Sequence, residues 1–127
     1  MPSPNARARV LVVDDEEGSR RIIAEILDLN GYDADTAASG PEALELARNS
    51  SYQVAVLDYR MPHMNGVQLF ERLKQMCPEL VGIFLTGYPT VDTVFPAIAS
   101  GIERVLAKPV NTEELLDVIS QAVDQVN

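Results

Sequence analysis

Apolar positions along the chain follow two periods. Short runs dominated by Val, Leu and Ile at residues 10–13, 54–57, 81–85 and 105–107 are unbroken, which predicts strands buried on both faces. Between them, apolar residues recur every three or four positions, the pattern of helices with one inner face. Helix one is predicted over residues 16–29, with Ile22, Ile23, Ile26 and Leu27 at the three- and four-residue spacing of an apolar stripe and Asn30-Gly31 as its stop. Residues 33–37 alternate polar and small side chains and predict a weaker strand at a sheet edge. Ser39-Gly-Pro-Glu42 has the spacing of a capping box and opens helix two, with Ala43, Leu44 and Ala47 inward. Asn65-Gly-Val-Gln68 repeats that cap before helix three, whose inner face carries Phe70, Leu73 and Cys77. Asn111-Thr-Glu-Glu114 opens helix five, with Leu115, Ile119, Ala122 and Val126 in one stripe.

Helix four breaks the pattern. Pro96 lies inside residues 91–100, where its ring opposes the carbonyl of Asp92 and one hydrogen bond is lost. The expectation is a short or irregular helix that either starts late, near Phe95, or is kinked. Strand and helix still alternate five times with short connections. That predicts an α/β fold, a doubly wound parallel sheet with helices on both faces and right-handed crossovers. A polar tail over residues 1–8 followed by one domain over residues 9–127 accounts for the whole chain.

Parallel strands end on one edge of a sheet, and ligands bind outside those carboxyl ends. The predicted strands are followed by Asp14 and Asp15, by Asp58, by Thr86 and by Lys108. Singly, each acid is explained as a helix cap or a solvated turn. Together they point to one pocket. In the 2-1-3-4-5 strand order the crevice opens between strands one and three, which run only ~4.8 Å apart. Carboxylates crowded there require a cation, and an oxygen-rich site that keeps several waters favours Mg²⁺. A hydroxyl and an ammonium beside a carboxylate suit a phosphoryl group, whose oxygens they neutralise during transfer. Asp58 is the natural nucleophile, because a carboxylate can attack phosphorus and hold the group as an acyl phosphate.

The net charge of −9 opposes phosphate backbones and argues against direct nucleic-acid binding. Cys77 is the only cysteine, so an internal disulfide is excluded, and its apolar setting suggests a structural thiol. No apolar stretch is long enough to span a membrane, and the expected location is the cytoplasm. His63, the only histidine, lies in a polar loop away from the acids and is given no role.

Four segments, in order and at these separations, resemble the receiver domain of two-component response regulators. They are Val-Leu-Val-Val-Asp-Asp (10–15), Leu-Asp-Tyr-Arg-Met-Pro-His-Met-Asn-Gly (57–66), Leu-Thr-Gly-Tyr (85–88) and Ala-Lys-Pro (107–109). The resemblance covers nearly the whole chain and implies a flavodoxin-like sheet in the order 2-1-3-4-5. It also implies that Asp58 accepts phosphate from the phosphohistidine of a sensor histidine kinase or a histidine phosphotransfer protein. Mg²⁺ would be held by Asp15, Asp58 and the backbone carbonyl of Arg60, with Asp14 acting through water. Thr86 and Lys108 would bind phosphate oxygens, and the Lys108–Pro109 bond would be cis. Arg60 and Tyr88 occupy positions that flank the path of the hydrolytic water, and are expected to set the lifetime of the phosphoryl group. The readout surface would be the face of helix four, strand five and helix five, which also offers a place for a homodimer.

One departure from the family pattern bears on output. Val105 occupies the position of the aromatic residue whose swing reports phosphorylation, so the signal would pass through Thr86, the loop after it, or helix four. Two rival functions fit less well. A phosphatase of the haloacid dehalogenase type needs a second aspartate where this chain has Arg60, and a nucleophile ending the first strand. A degenerate receiver acting without phosphate is opposed by the intact acids, Thr86 and Lys108. The expected protein is a signalling switch that assists only its own phosphorylation and dephosphorylation, not a turnover enzyme.

Overall fold

Among the described residues, five strands alternate with five helices. These are β1 (Arg9–Val13), α1 (Glu17–Leu29), β2 (Asp33–Ala37), α2 (Gly40–Asn49), β3 (Val54–Asp58), α3 (Gly66–Met76), β4 (Val81–Thr86), α4 (Val91–Ala99), β5 (Arg104–Ala107) and α5 (Thr112–Val126). The computed structural model describes residues 7–126, apart from the side chains of residues 91–93, 125 and 126. Most of the expected N-terminal tail, and the Val126 end of the helix-five stripe, therefore lie outside the described residues.

All four strand pairs are parallel, and the order is β2-β1-β3-β4-β5. The two-residue alternation of strand side chains sorts the core into two layers. Val10, Val12, Val54, Val56, Ile83 and Leu85 meet Leu27 of α1 and Leu115 and Ile119 of α5. Leu11, Val13, Ala55, Leu57 and Phe84 face the other way, against Ala43, Leu69, Phe70, Leu73 and Ala97. Strand order reverses between β1 and β3, so the crevice expected at a switch point opens at their carboxyl ends.

The helix starts follow their caps. Asn65 and Gln68 form the complete box, with bonds of 2.9 and 3.0 Å. The Asn111 side chain accepts the Glu114 amide at 2.9 Å. The α2 box is only half made: Ser39 accepts the Glu42 amide, but the Glu42 carboxylate takes the amide of Ala38, one residue upstream of the expected donor.

Three expectations need correction. Ile22 is not core: it is 59% exposed, because the α1 stripe that meets the sheet is centred on Ile23 and Leu27. Cys77 is half-buried and sits at the C-cap of α3, not within its buried face. Helix four does not begin near Phe95. It starts at Val91, with the Val94 amide bonded to the Thr90 carbonyl at 2.8 Å. Pro96 is the sixth residue of the helix and has no amide hydrogen, so the interior bond to the Asp92 carbonyl is lost while the helix runs on to Ala99. The helix is nonetheless the shortest of the five described, at nine residues.

Candidate functional site

Side-chain alternation decides what collects at the carboxyl edge. Asp14 is in step with Val12, Asp58 with Val56 and Lys108 with Leu106, and those three apolar residues all belong to the core under α1 and α5. The three polar side chains thus leave the sheet on one side. Val13 pairs with Leu57 across β1 and β3, which sets the next residues, Asp14 and Asp58, side by side. One carboxylate oxygen from each of Asp14, Asp15 and Asp58 lies within 4.8 Å of the others. Lys108 Nζ is 3.0 Å from Asp14 Oδ2 and 3.4 Å from Asp58 Oδ2. Asp14 and Asp58 are buried, whereas Asp15 is exposed.

The two buried acids fare differently. Burial works against the charge of Asp14. The Glu16 amide, donated to Oδ1 at 2.9 Å, together with the Ser19 hydroxyl and Lys108, outweighs it and holds the carboxyl below its ordinary range. At Asp58 burial prevails over the attraction of Lys108, and the charge of Asp14 adds to it, so the carboxyl is pushed up to about 6. Burial also acts to lower the Lys108 ammonium, but its bond to Asp14 and the charges of both acids raise it above its ordinary value. Lys108 is therefore cationic and Asp14 anionic at neutral pH, and Asp58 is the group whose charge the site supports least.

The donor set fits Mg²⁺. Three hard carboxylate ligands converge, one is open to water, and a single ammonium leaves their charge only partly balanced.

Thr86, the last residue of β4, is buried. Its Oγ1 accepts the Tyr88 amide at 3.1 Å, and its carbonyl accepts the Lys108 amide at 2.8 Å. The Lys108–Pro109 peptide is cis. Arg60 and Tyr88 reach across from the loops after β3 and β4, with the guanidinium carbon 5.8 Å from the ring centre. His63 is exposed, at φ 69°, and takes no part in the acidic group. Val105 is half-buried against the α2–α3 side of the core.

Two residues that contact the backbone of the acidic site were not singled out by sequence reasoning. Arg20 Nη1 donates to the Asp14 carbonyl at 2.9 Å. Gly66 lets α3 begin against the end of β3: a Cβ there would lie 2.9 Å from the Asp58 carbonyl oxygen and 3.1 Å from Tyr59 Cα. The motif around Gly66 signalled a helix start and carried no hint of that contact. For Arg20 the only signal was a base near a helix N-terminus, where the dipole disfavours it.

Residues 10–120 match the response regulator receiver domain. Transcriptional regulatory protein GlrR of Escherichia coli (strain K12) is 31% identical over 118 residues, covering 93% of this chain and 27% of that protein. This chain thus spans about a quarter of that relative's length. Sporulation initiation phosphotransferase F of Bacillus subtilis (strain 168) is 27% identical over 113 residues, covering 89% of this chain and 91% of that one. Among solved structures, a CheY-like response regulator receiver domain protein from Methanospirillum hungatei JF-1 superposes with a TM-score of 0.90 at 29% identity, covering 95% of this chain and 97% of the other. Fold, acidic edge and matched residues agree, and the chain belongs to the response regulator receiver domain family.

Proposed function

We propose that Asp58 accepts a phosphoryl group from the phosphohistidine of a sensor histidine kinase or a histidine phosphotransfer protein, in the cytoplasm, and that the chain works as a phosphorylation-dependent switch. One observation carries the reading: a carboxylate at a strand end is paired with an ammonium 3.4 Å away and crowded by two further acids whose oxygens lie within 4.8 Å. An Asp58 oxygen attacks phosphorus, the P–N bond breaks, and its electron pair leaves with the imidazole, which takes up a proton. The product is an acyl phosphate. Lys108 and the Thr86 hydroxyl receive the phosphoryl oxygens. Asp15, Asp58 and the Arg60 carbonyl would hold Mg²⁺, with Asp14 acting through water, and the ion supplies charge neutralisation for those oxygens. Arg60 and Tyr88, stacked at the rim, govern access of water and so the lifetime of the acyl phosphate.

Output follows from Thr86. A hydroxyl drawn toward a phosphoryl group gives up the Tyr88 amide, which loosens the turn leading into α4. Phe95 and Ile98 of α4 are exposed, and the α4–β5–α5 face is the proposed contact for an effector or a second copy. The donor protein is proposed to dock on the α1 side of α5. There a groove of about 620 Å³ runs between α1 and the start of α5, walled by Ile22, Ile26, Pro109 and Val110 and reaching Lys108. A donor helix with an apolar stripe seated in it lies next to Asp58.

The test is incubation with phosphoramidate and Mg²⁺, followed by intact mass measurement. The parent chain gains one phosphoryl group and Asp58→Asn gains none. No gain in the parent marks a phosphate-independent module. Sustained release of phosphate from a generic phosphomonoester marks a phosphatase instead.

A further inference from the structure

The turn between β1 and α1 carries Asp14 and Asp15, yet α1 begins without a side-chain cap: its N-cap residue is Glu16, whose side chain makes no capping bond. Other bonds hold the turn, from Ser19 and Lys108 to the Asp14 carboxylate and through the backbone. The Asp14 amide donates to the Ala37 carbonyl at 3.1 Å, the Glu16 amide donates to Asp14 Oδ1 at 2.9 Å, and Arg20 Nη1 donates to the Asp14 carbonyl at 2.9 Å. Arg20 is the fourth residue of α1, a position where the helix dipole opposes a cation. Its neighbour Arg21 behaves as an ordinary surface base, paired with Glu17 at 2.8 Å and exposed. Arg20 is half-buried, with Asp14, Asp15, Glu16 and Glu17 close by in sequence, and it commits a guanidinium N–H to a neutral carbonyl.

We infer that Arg20 is a positioning residue for the metal site: by clamping the Asp14 carbonyl it fixes the turn from which Asp14 and Asp15 project, and so sets their affinity for Mg²⁺. The inference rests on the Mg²⁺-dependent reading of the acidic cluster. Charge and geometry then predict opposite results when Arg20 is removed. Deleting a cation from the acidic turn favours a divalent ion, by an amount that water and salt keep small for a partly exposed group. Loosening a support behind the ligands typically costs tenfold or more in metal affinity. Geometry is the larger effect.

The experiment titrates Mg²⁺ into the unphosphorylated chain by calorimetry and follows exchange of the Glu16 amide by NMR. Arg20→Ala is expected to bind Mg²⁺ about tenfold more weakly and to exchange the Glu16 amide faster. Arg20→Lys, which keeps the charge and a donor, recovers most of both. Arg21→Ala makes the same charge change without touching the clamp, and binds Mg²⁺ as tightly as the parent or slightly tighter. Should Arg20→Ala fail to fold by circular dichroism, Arg20→Met keeps the apolar stem and carries the same test. A parent chain that binds no Mg²⁺ overturns the metal reading itself. A parent that binds, with an Arg20→Ala variant that binds equally well or better, overturns the inference alone.

Discussion

Replacing Asp58 by asparagine removes the charge that the fold supports least. The Asp58 side chain is buried and its carboxyl is pushed from 3.8 to about 6. One unit is about 1.4 kcal/mol, so the ionised group costs the folded chain about 3 kcal/mol once pH is well above 6. The sign follows from proton counting. Between 3.8 and about 6 the folded chain holds a proton that the unfolded chain has released, so stability falls as pH rises through that window. The contribution is fully present below 3.8 and gone above about 6. Asp14, held below its ordinary range, is ionised in both proteins at pH 5 and at pH 8 and adds little to the change between those two values. Asp58→Asn is therefore expected to be more stable than the parent by about 3 kcal/mol at pH 8 and by about half that at pH 5, both in EDTA. Urea denaturation followed by circular dichroism measures the gap. Added Mg²⁺ stabilises the parent by mass action, leaves the variant nearly unchanged, and narrows the difference. A variant no more stable than the parent at pH 8, or a gap independent of pH, refutes the assignment of Asp58 as the strained charge.

Three further outcomes are expected. Gly66→Ala drives a methyl group into the Asp58 carbonyl oxygen, which is backbone and cannot swing aside; urea denaturation should show a loss of about 1–3 kcal/mol, and phosphorylation by phosphoramidate should slow. Ile22→Asp places a charge on the wall of the α1–α5 groove; transfer from a phosphorylated histidine kinase should fall by about tenfold or more, as for loss of one apolar anchor, while phosphoramidate still labels Asp58 at the parent rate. Tyr52→Phe deletes a buried hydroxyl that donates to Asp35 at 2.7 Å and is pushed up to about 12 by burial and that bond; thermal denaturation should register a loss of about 1–2 kcal/mol with no change in phosphorylation.

The sheet was legible because parallel strands buried on both faces have few sequence solutions: Val10–Val13 and Val54–Leu57 are apolar at every position, so no register leaves a polar residue inside. The weak β2 was placed at an edge for the converse reason, and lies there. Helix faces were less legible. A helical stripe of apolar residues is wide, and only about half of the α1 stripe meets the sheet, so Ile22 has the spacing of a core residue while walling a surface groove. Pro96 left a late start or a kink open for α4; the late start does not occur, because one lost hydrogen bond does not end a helix whose Ala97 is buried in the core.

The convergence of the candidate site residues was legible for a different reason from the fold. Asp14, Asp58, Thr86 and Lys108 are side chains whose chemistry is visible as letters, and topology alone brings strand ends together. What holds those side chains in place is backbone: the Asp14 carbonyl under Arg20, the Asp58 carbonyl against Gly66, the Tyr88 amide on Thr86. Every residue owns a carbonyl and nearly every residue an amide, so such contacts leave no compositional trace. Candidate reactive side chains are therefore readable from the amino-acid letters, while the residues that contact their backbone become visible only through the acceptor they meet in space. That is why Arg20, a half-buried base that sequence pattern does not distinguish from Arg21, is the position where a single substitution is expected to separate a well-folded chain from a well-ordered metal site.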